Sequence, residues 1–319
     1  MTQHQSLTSL RTSLAGPMRT GEAVWLRLGG LGLDDAKSHG ALCNCIERLG
    51  IGGAEVPPGI VVLDWSAVSD CSAEGLAFFA VLAKHLVDAG VQVFAAEPAV
   101  SGIAELLAQS GFRSGCAGVE WVPCDVCGGG AAHCGARGAL FSTSLNESVD
   151  DFCDDLSATL KRLAVPRSVR CAIMGTAHEV LHNVLSHAEA SHGAAAALIF
   201  PRRRPKVLQV GIADDGVGIA GTILRHPRHA WLGWFSDAQV TEAVLRDHRS
   251  VRGADTGEEQ GGGGLARLVK RLLGETRSSV ILRSGSAFVT LRSQDPDRFH
   301  LRRLTYGTGT QFRLELPLC

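Results

Sequence analysis

The chain has 319 residues, enough for two domains, and its 31 Lys plus Arg nearly balance its 32 Asp plus Glu. A balanced charge gives no global field for nucleic acid or a membrane surface, and no apolar run is long enough to span a bilayer. The 45% hydrophobic content supports well-packed cores, while 38 glycines point to functional loops and ten scattered cysteines suit a reducing cytoplasm better than a disulfide scaffold.

Residues 1–20 are polar, without periodicity, and show no basic segment followed by an apolar one, so no secretory signal is expected. Ala23–Leu28 reads as a first strand and Asp34–Leu49 as an amphipathic helix. Pro57 and Pro58 punctuate the chain before the apolar strand Gly59–Trp65. A helix over Gly75–Ala89 is closed by Gly90, followed by a strand at Val91–Ala96, a helix at Val100–Gln109 and a stop at Gly111. Strands alternating with helices predict an α/β domain over residues 20–122.

The run from Val62 to Leu76, with Leu82–Leu86 and Gly90–Phe94, resembles a STAS domain, the fold of bacterial anti-anti-sigma factors switched by serine phosphorylation. Aligned from Leu63-Asp64 to Gly75-Leu76, the chain places Ser72, Ala73 and Glu74 where that family has Asp-Ser-Ser. The usual phosphoacceptor position is then Ala73, which has no hydroxyl, and Ser72 would substitute only through a shift of register. A docking or dimerisation platform is the other reading of this domain.

Residues 123–148 form a Gly/Cys-rich connector. Cys124 and Cys127 make one C-x-x-C pair, with Cys134 as a third thiol, so these three are candidate zinc ligands; His133, Cys116 or Cys153 would complete the set. The alternative is a linker with free thiols.

Residues 149–319 carry the chemistry. Helices are expected over Asp150–Leu163 and Val169–His187, separated near Pro166. Antiparallel strands follow at Ala195–Phe200 and Lys206–Ala213, around the basic turn 201–205. In the second helix Glu179, Asn183 and His187 step by four residues and share a face, while Ala177, Leu181, Val184 and Ala188 form an apolar stripe. The strand delivers Asp214 into a turn with Gly216 and Gly218, where a backbone approaches a ligand closely. A carboxylate and an amide facing such a turn read as a nucleotide site. After a long polar segment, Gly261–Gly264 run straight into a helix beginning at Leu265, a phosphate cradle of free N–H groups. Strands follow at Ser279–Arg283 and Ala287–Arg292, and Gly309-Thr310 enters a last strand. The letters His178-Glu179 to His182 also fit H-E-x-x-H, a zinc-peptidase pattern, but Leu185 and Ala188 break its metzincin extension.

The order Glu179-x-x-x-Asn183, Asp214-x-Gly216-x-Gly218, Gly262-x-Gly264-Leu265 and Gly309-Thr310 resembles the Bergerat-fold (GHKL) ATPases, which include histidine kinases, gyrase and the anti-sigma-factor serine kinases. That resemblance implies a two-layer α/β sandwich with a mixed sheet under helices, ATP between the helices and a mobile lid over residues 220–260. It implies Mg²⁺ ligation by Asn183, a general base at Glu179, and adenine recognition by Asp214 with Gly216 and Gly218. Gly262, Gly264 and Leu265 would wrap the phosphates, Thr310 would support the adenine side, and His187 would stand near the phosphates or on an ordinary helix surface. Asp215 stands where many relatives have Asn, and Ala266 where many have Gly; neither removes a named contact. The absence of an acceptor histidine in a helix before Ala172 argues against a sensor kinase.

The expectation is therefore a cytoplasmic bacterial regulator that binds Mg-ATP and either phosphorylates a protein partner, a STAS or sigma-factor-like regulator, or hydrolyses ATP slowly. A non-catalytic ATP-gated interaction module is the alternative, and a zinc peptidase the outsider. No nucleic-acid or membrane partner is expected, and a homodimer is left open.

Overall fold

The structure, a computed structural model, describes residues 23–27, 59–66, 68, 71–122, 139–142, 145–200, 205–225, 227–247, 264–303 and 309–318. The expected helix at 34–49 and the connector cysteines Cys124, Cys127 and Cys134 lie outside the described residues, while 139–142 and 145–148, expected as connector, belong to a strand and to the start of a helix.

Four strands, β1 (Ala23–Arg27), β2 (Ile60–Asp64), β3 (Gln92–Ala96) and β4 (Val119–Val122), lie side by side in chain order, all parallel. Parallel neighbours need a crossover. Helix α1 (Ala73–Asp88) supplies it between β2 and β3, and α2 (Ser101–Gln109) with the short α3 (Phe112–Gly115) between β3 and β4. Val61, Val62 and Leu63 are fully buried, as expected of a parallel strand covered on both faces. Trp65 packs edge-on to Phe79 and Phe112, with ring centroids at 4.4 and 5.7 Å, and anchors the first core.

The second sheet has seven strands: β5 (Ala139–Ser142), β6 (Gly193–Phe200), β7 (Lys206–Asp214), β8 (Ser279–Ser284), β9 (Ala287–Arg292), β10 (Asp295–Arg303) and β11 (Thr310–Leu318). Their order is β10-β9-β8-β11-β7-β6-β5, and every pair is antiparallel. This corrects the mixed sheet expected from the resemblance. The last strand enters the middle of the sheet and runs opposite to both neighbours, so among the described residues this sheet has no parallel pair.

Side chains alternate along these strands with period two. Leu208, Val210 and Ile212 of β7, and Phe312, Leu314 and Leu316 of β11, join one core with residues of α4 (Leu145–Arg162), α5 (Arg167–His187) and α8 (Gly264–Glu275). The intervening Val207 and Ala213, with Ala194, Ala196, Leu198 and Phe200 of β6, belong instead to the core built around α1. Helix α1 therefore lies between the parallel and the antiparallel sheet. It is buried on all sides from Ala73 to Ala83, as its nearly uncharged sequence requires.

The N-terminus of α1 is fastened to the antiparallel sheet residue by residue. Ser72 caps the helix, its Oγ accepting from the Gly75 N–H at 3.3 Å. The Ala73 N–H donates to Gln209 Oε1 at 3.3 Å, and Arg313 Nη1 donates to Glu74 Oε1 at 2.9 Å with both side chains buried. Gly211 admits this approach, because a Cβ there would stand 2.1 Å from the Glu74 nitrogen. The stretch Ser72–Glu74 is thus an internal contact, and Ser72 is buried with its hydroxyl accepting the cap bond.

The segment expected as a polar lid is largely helical as far as it is described. It contains α6 (Gly218–Leu224), a 3-10 helix (Pro227–Trp234) and α7 (Asp237–Asp247), held by a small core of Ala220, Ile223, Leu232 and Val240. Among the described residues, no helix is long and apolar enough to cross a membrane.

Candidate functional site

The turn after β7 is built around one buried carboxylate. Asp214 Oδ1 accepts from the Gly216 N–H at 2.8 Å and from the Thr310 N–H at 3.1 Å, so β7 and β11 meet on a single oxygen. Burial pushes this carboxyl up to about 7, against the pull of the two N–H donors. The Gly309 N–H donates to the Gly216 carbonyl at 2.7 Å, closing the turn from the other side. Gly309 has φ +69, and a Cβ there would fall 1.9 Å from the Asp214 carbonyl oxygen, so only glycine fits. The site residues Asp214, Gly216 and Thr310 thus converge.

The C-terminal end of α5 abuts the same turn. The Val217 N–H donates to the Ala188 carbonyl at 2.9 Å, and a Cβ on Gly216 would lie 2.2 Å from that carbonyl oxygen. The chain itself occupies the room that Gly216 leaves. Gly218 opens α6 with φ +72, beside Ser284, whose Oγ accepts from the Ile219 N–H.

Farther back along α5, Glu179 faces the start of α8. A Cβ on Gly264 would stand 2.5 Å from Glu179 Oε1, which places this carboxylate against the first residue of the glycine-led helix. A negative group at a helix N-terminus meets the positive end of the macrodipole. Asn183 lies one turn beyond Glu179 and is half-buried, and its carbonyl accepts the Ala188 N–H that ends the helix. Leu265 is half-buried against the helix-side core. Gly262 lies outside the described residues; His187 ends α5.

His178 and His182 stack at 6.4 Å between ring centroids, and the His182 ring approaches Ser186 Oγ. Among the described residues no third ligand joins them. The one group there with metal-compatible geometry is His85, His192 and Asp215.

Sequence reasoning missed that group, which joins three distant segments. Asp215 Oδ2 lies 2.7 Å from His192 Nδ1 and 3.1 Å from His85 Nδ1, and Asp215 Oδ1 accepts the His192 backbone N–H at 2.9 Å. His192 Nε2 lies 2.7 Å from Asp88 Oδ2. Burial works to raise the Asp215 carboxyl, but the bonds from His85 and from the His192 backbone and ring outweigh it and hold the carboxyl below its ordinary value. The hydrogen bond to His192 does the same for Asp88. The one available signal was Asp215 itself, an acid following directly on Asp214.

A comparison of the chain with protein-family models finds no match, and neither does a comparison with curated proteins.

Proposed function

We propose that the chain is an Mg-ATP-binding regulatory protein of the Bergerat (GHKL) type, similar to the anti-sigma-factor serine kinases, with a STAS-like unit built onto the back of its sheet. The observation that carries this reading is the Asp214 turn. A buried carboxylate at a strand end, tied to Gly216 and to Thr310 of a second strand, supplies a fixed acceptor for the amino group of a base.

In this reading Asn183 offers its amide oxygen to Mg²⁺, a hard ligand for a hard cation. The N-terminus of α8, entered through Gly262 and Gly264, takes phosphate oxygens on its free N–H groups. Glu179 lies against that helix start and would receive the proton of an attacking water or serine hydroxyl. Burial of Ser72 and the methyl of Ala73 leave no acceptor hydroxyl at the STAS-like position, so a phosphorylated serine belongs to a partner protein.

A second reading is an ATP-gated interaction module without phosphoryl transfer. The docking of α1 on the antiparallel sheet favours it, because a change in the Asp214 turn has a direct route to the STAS-like unit through Asp215, His85 and His192.

Isothermal titration with a non-hydrolysable ATP analogue, with and without Mg²⁺, tests both. Binding is expected, and Asp214→Ala weakens it by about 1.5–3 kcal/mol, the worth of a hydrogen bond to a charged group. No binding by the parent chain sinks the proposal. Given binding, turnover that disappears in Glu179→Gln selects the enzyme, and its absence from the parent selects the gated module.

A further inference from the structure

We propose that His85, His192 and Asp215 form a binding site for a divalent transition metal of the zinc type, pinning helix α1 to the turn after β7. The proposal stands on the geometry of these side chains and does not depend on the nucleotide reading.

One ligand atom from each of His85, His192 and Asp215 lies within 4.8 Å of the others, and Asp215 Oδ2 faces Nδ1 of both rings. Zinc binds imidazole nitrogen and carboxylate oxygen at about 2.0–2.2 Å, which sets tetrahedral ligands roughly 3.4 Å apart. The observed separations from Asp215 Oδ2, 2.7 and 3.1 Å, need only small outward movements of the rings. Two imidazoles and one carboxylate suit zinc and its transition-metal neighbours, whereas Mg²⁺ and Ca²⁺ prefer all-oxygen sets. With three protein ligands, the fourth position is left to water, and the His85 side chain, 32% exposed, gives an ion access from solvent.

The surroundings carry the second half of the argument. A metal-bound histidine ordinarily gives its remaining ring N–H to a carboxylate, which fixes the tautomer and the ring plane. His192 has that partner: Nε2 faces Asp88 Oδ2 at 2.7 Å, leaving Nδ1 for the metal. Asp215 is oriented in turn, its Oδ1 held by the His192 backbone N–H at 2.9 Å while Oδ2 points to both rings. The ligands come from the last turn of α1, the residue before β6, and the turn after β7, so a bound ion ties His85 to residues 107 and 130 positions farther along the chain.

The connector thiols and the α5 histidine pair are separate metal-binding candidates, so the test removes the thiols and breaks the pair at His182. The full chain carrying Cys124→Ser, Cys127→Ser, Cys134→Ser and His182→Ala is prepared metal-free, then titrated with Zn²⁺ and with Co²⁺. One zinc per chain is expected, with the visible absorption of tetrahedral Co²⁺ and no near-ultraviolet thiolate band. In this background His85→Gln, at a half-exposed position that tolerates replacement, weakens zinc at least tenfold, and Asp88→Asn weakens it by about 10–100-fold through loss of the ring orientation. Zinc also raises the unfolding temperature of the background chain and not that of His85→Gln. Absence of stoichiometric zinc in the background chain overturns the proposal. So does equal zinc affinity in His85→Gln with its circular dichroism unchanged.

Discussion

Asp214 keeps a carboxyl where water cannot reach it, and the cost depends on pH. Its ordinary value of 3.8 moves to about 7 in the fold, with burial as the leading cause. Between those two values the unfolded chain has released this proton while the folded chain still holds it, so rising pH favours unfolding. The contribution is fully present below about 3.8 and is lost as the pH passes through about 7. Its full amplitude is on the order of 4 kcal/mol. In urea unfolding followed across this window, the parent chain is expected to lose stability relative to Asp214→Asn, which cannot ionise. Parallel curves for the two would show that Asp214 is not held protonated. Raising the pH also supplies the better acceptor, so the fold gives up some stability as its candidate adenine contact gains strength.

At the scale of single elements, one helix end breaks the usual preference. Helix α4 closes with the Ala164 N–H donating to the Lys161 carbonyl and the Val165 N–H to the Leu160 carbonyl, the two bonds of a Schellman motif. Val165 and Leu160 are buried in the same core, which supplies the hydrophobic contact that accompanies this ending. The residue between, Ala164, sits at φ 54, a left-handed conformation that glycine adopts without penalty. Ala164→Gly is therefore expected to stabilise the chain by about 1 kcal/mol. Thermal unfolding reads this directly, and a lowered midpoint would mean that entropy lost from the unfolded chain outweighs the relieved strain.

The start of α1 is the opposite case, an element end under tight specification. Glu74 and Arg313 are 2% and 5% exposed and bonded at 2.9 Å, one from each half of the chain. Removing one partner of such a pair leaves a buried charge and costs about 3–5 kcal/mol. Glu74→Ala should show that loss in denaturant midpoints, whereas Glu74→Leu combined with Arg313→Met should recover most of it. If the single substitution falls within experimental error of the parent, the two halves are not fastened through this pair.

Over the whole molecule, legibility followed the range of the interaction. Strands β6 and β7 could be read from their own letters, because two nearly unbroken apolar runs of strand length flank the Pro- and Arg-rich turn at 201–205. The face shared by Glu179 and Asn183, and the Asp214 turn, are equally local. Burial of α1 on every side was also written in the chain, since Ala73–Ala83 carries a single charge and no polar face. The covering of that helix by a second sheet had no local trace. Nor did the entry of β11 between β7 and β8, which abolishes any parallel pairing. The apolar residues of α6 and α7 make a small cluster of their own, too sparse in sequence to show a stripe. Strand β10, Asp295–Arg303, begins with Asp295, Pro296 and Asp297 and reads as loop; its pairing with β9 makes it a strand. His85, Asp88, His192 and Asp215 meet only because α1 lies against β6 and β7, and no spacing rule connects them.

Helix α1 has a consequence for heredity. A gene encoding only the second half would specify a sheet with Ala194, Ala196, Leu198, Phe200, Val207 and Ala213 bare on one face. A gene encoding only the first would leave Phe78 without Arg283 over its ring and the buried Glu74 without Arg313. The two segments depend on each other for a closed core, and a substitution along α1 meets neighbours from both at once.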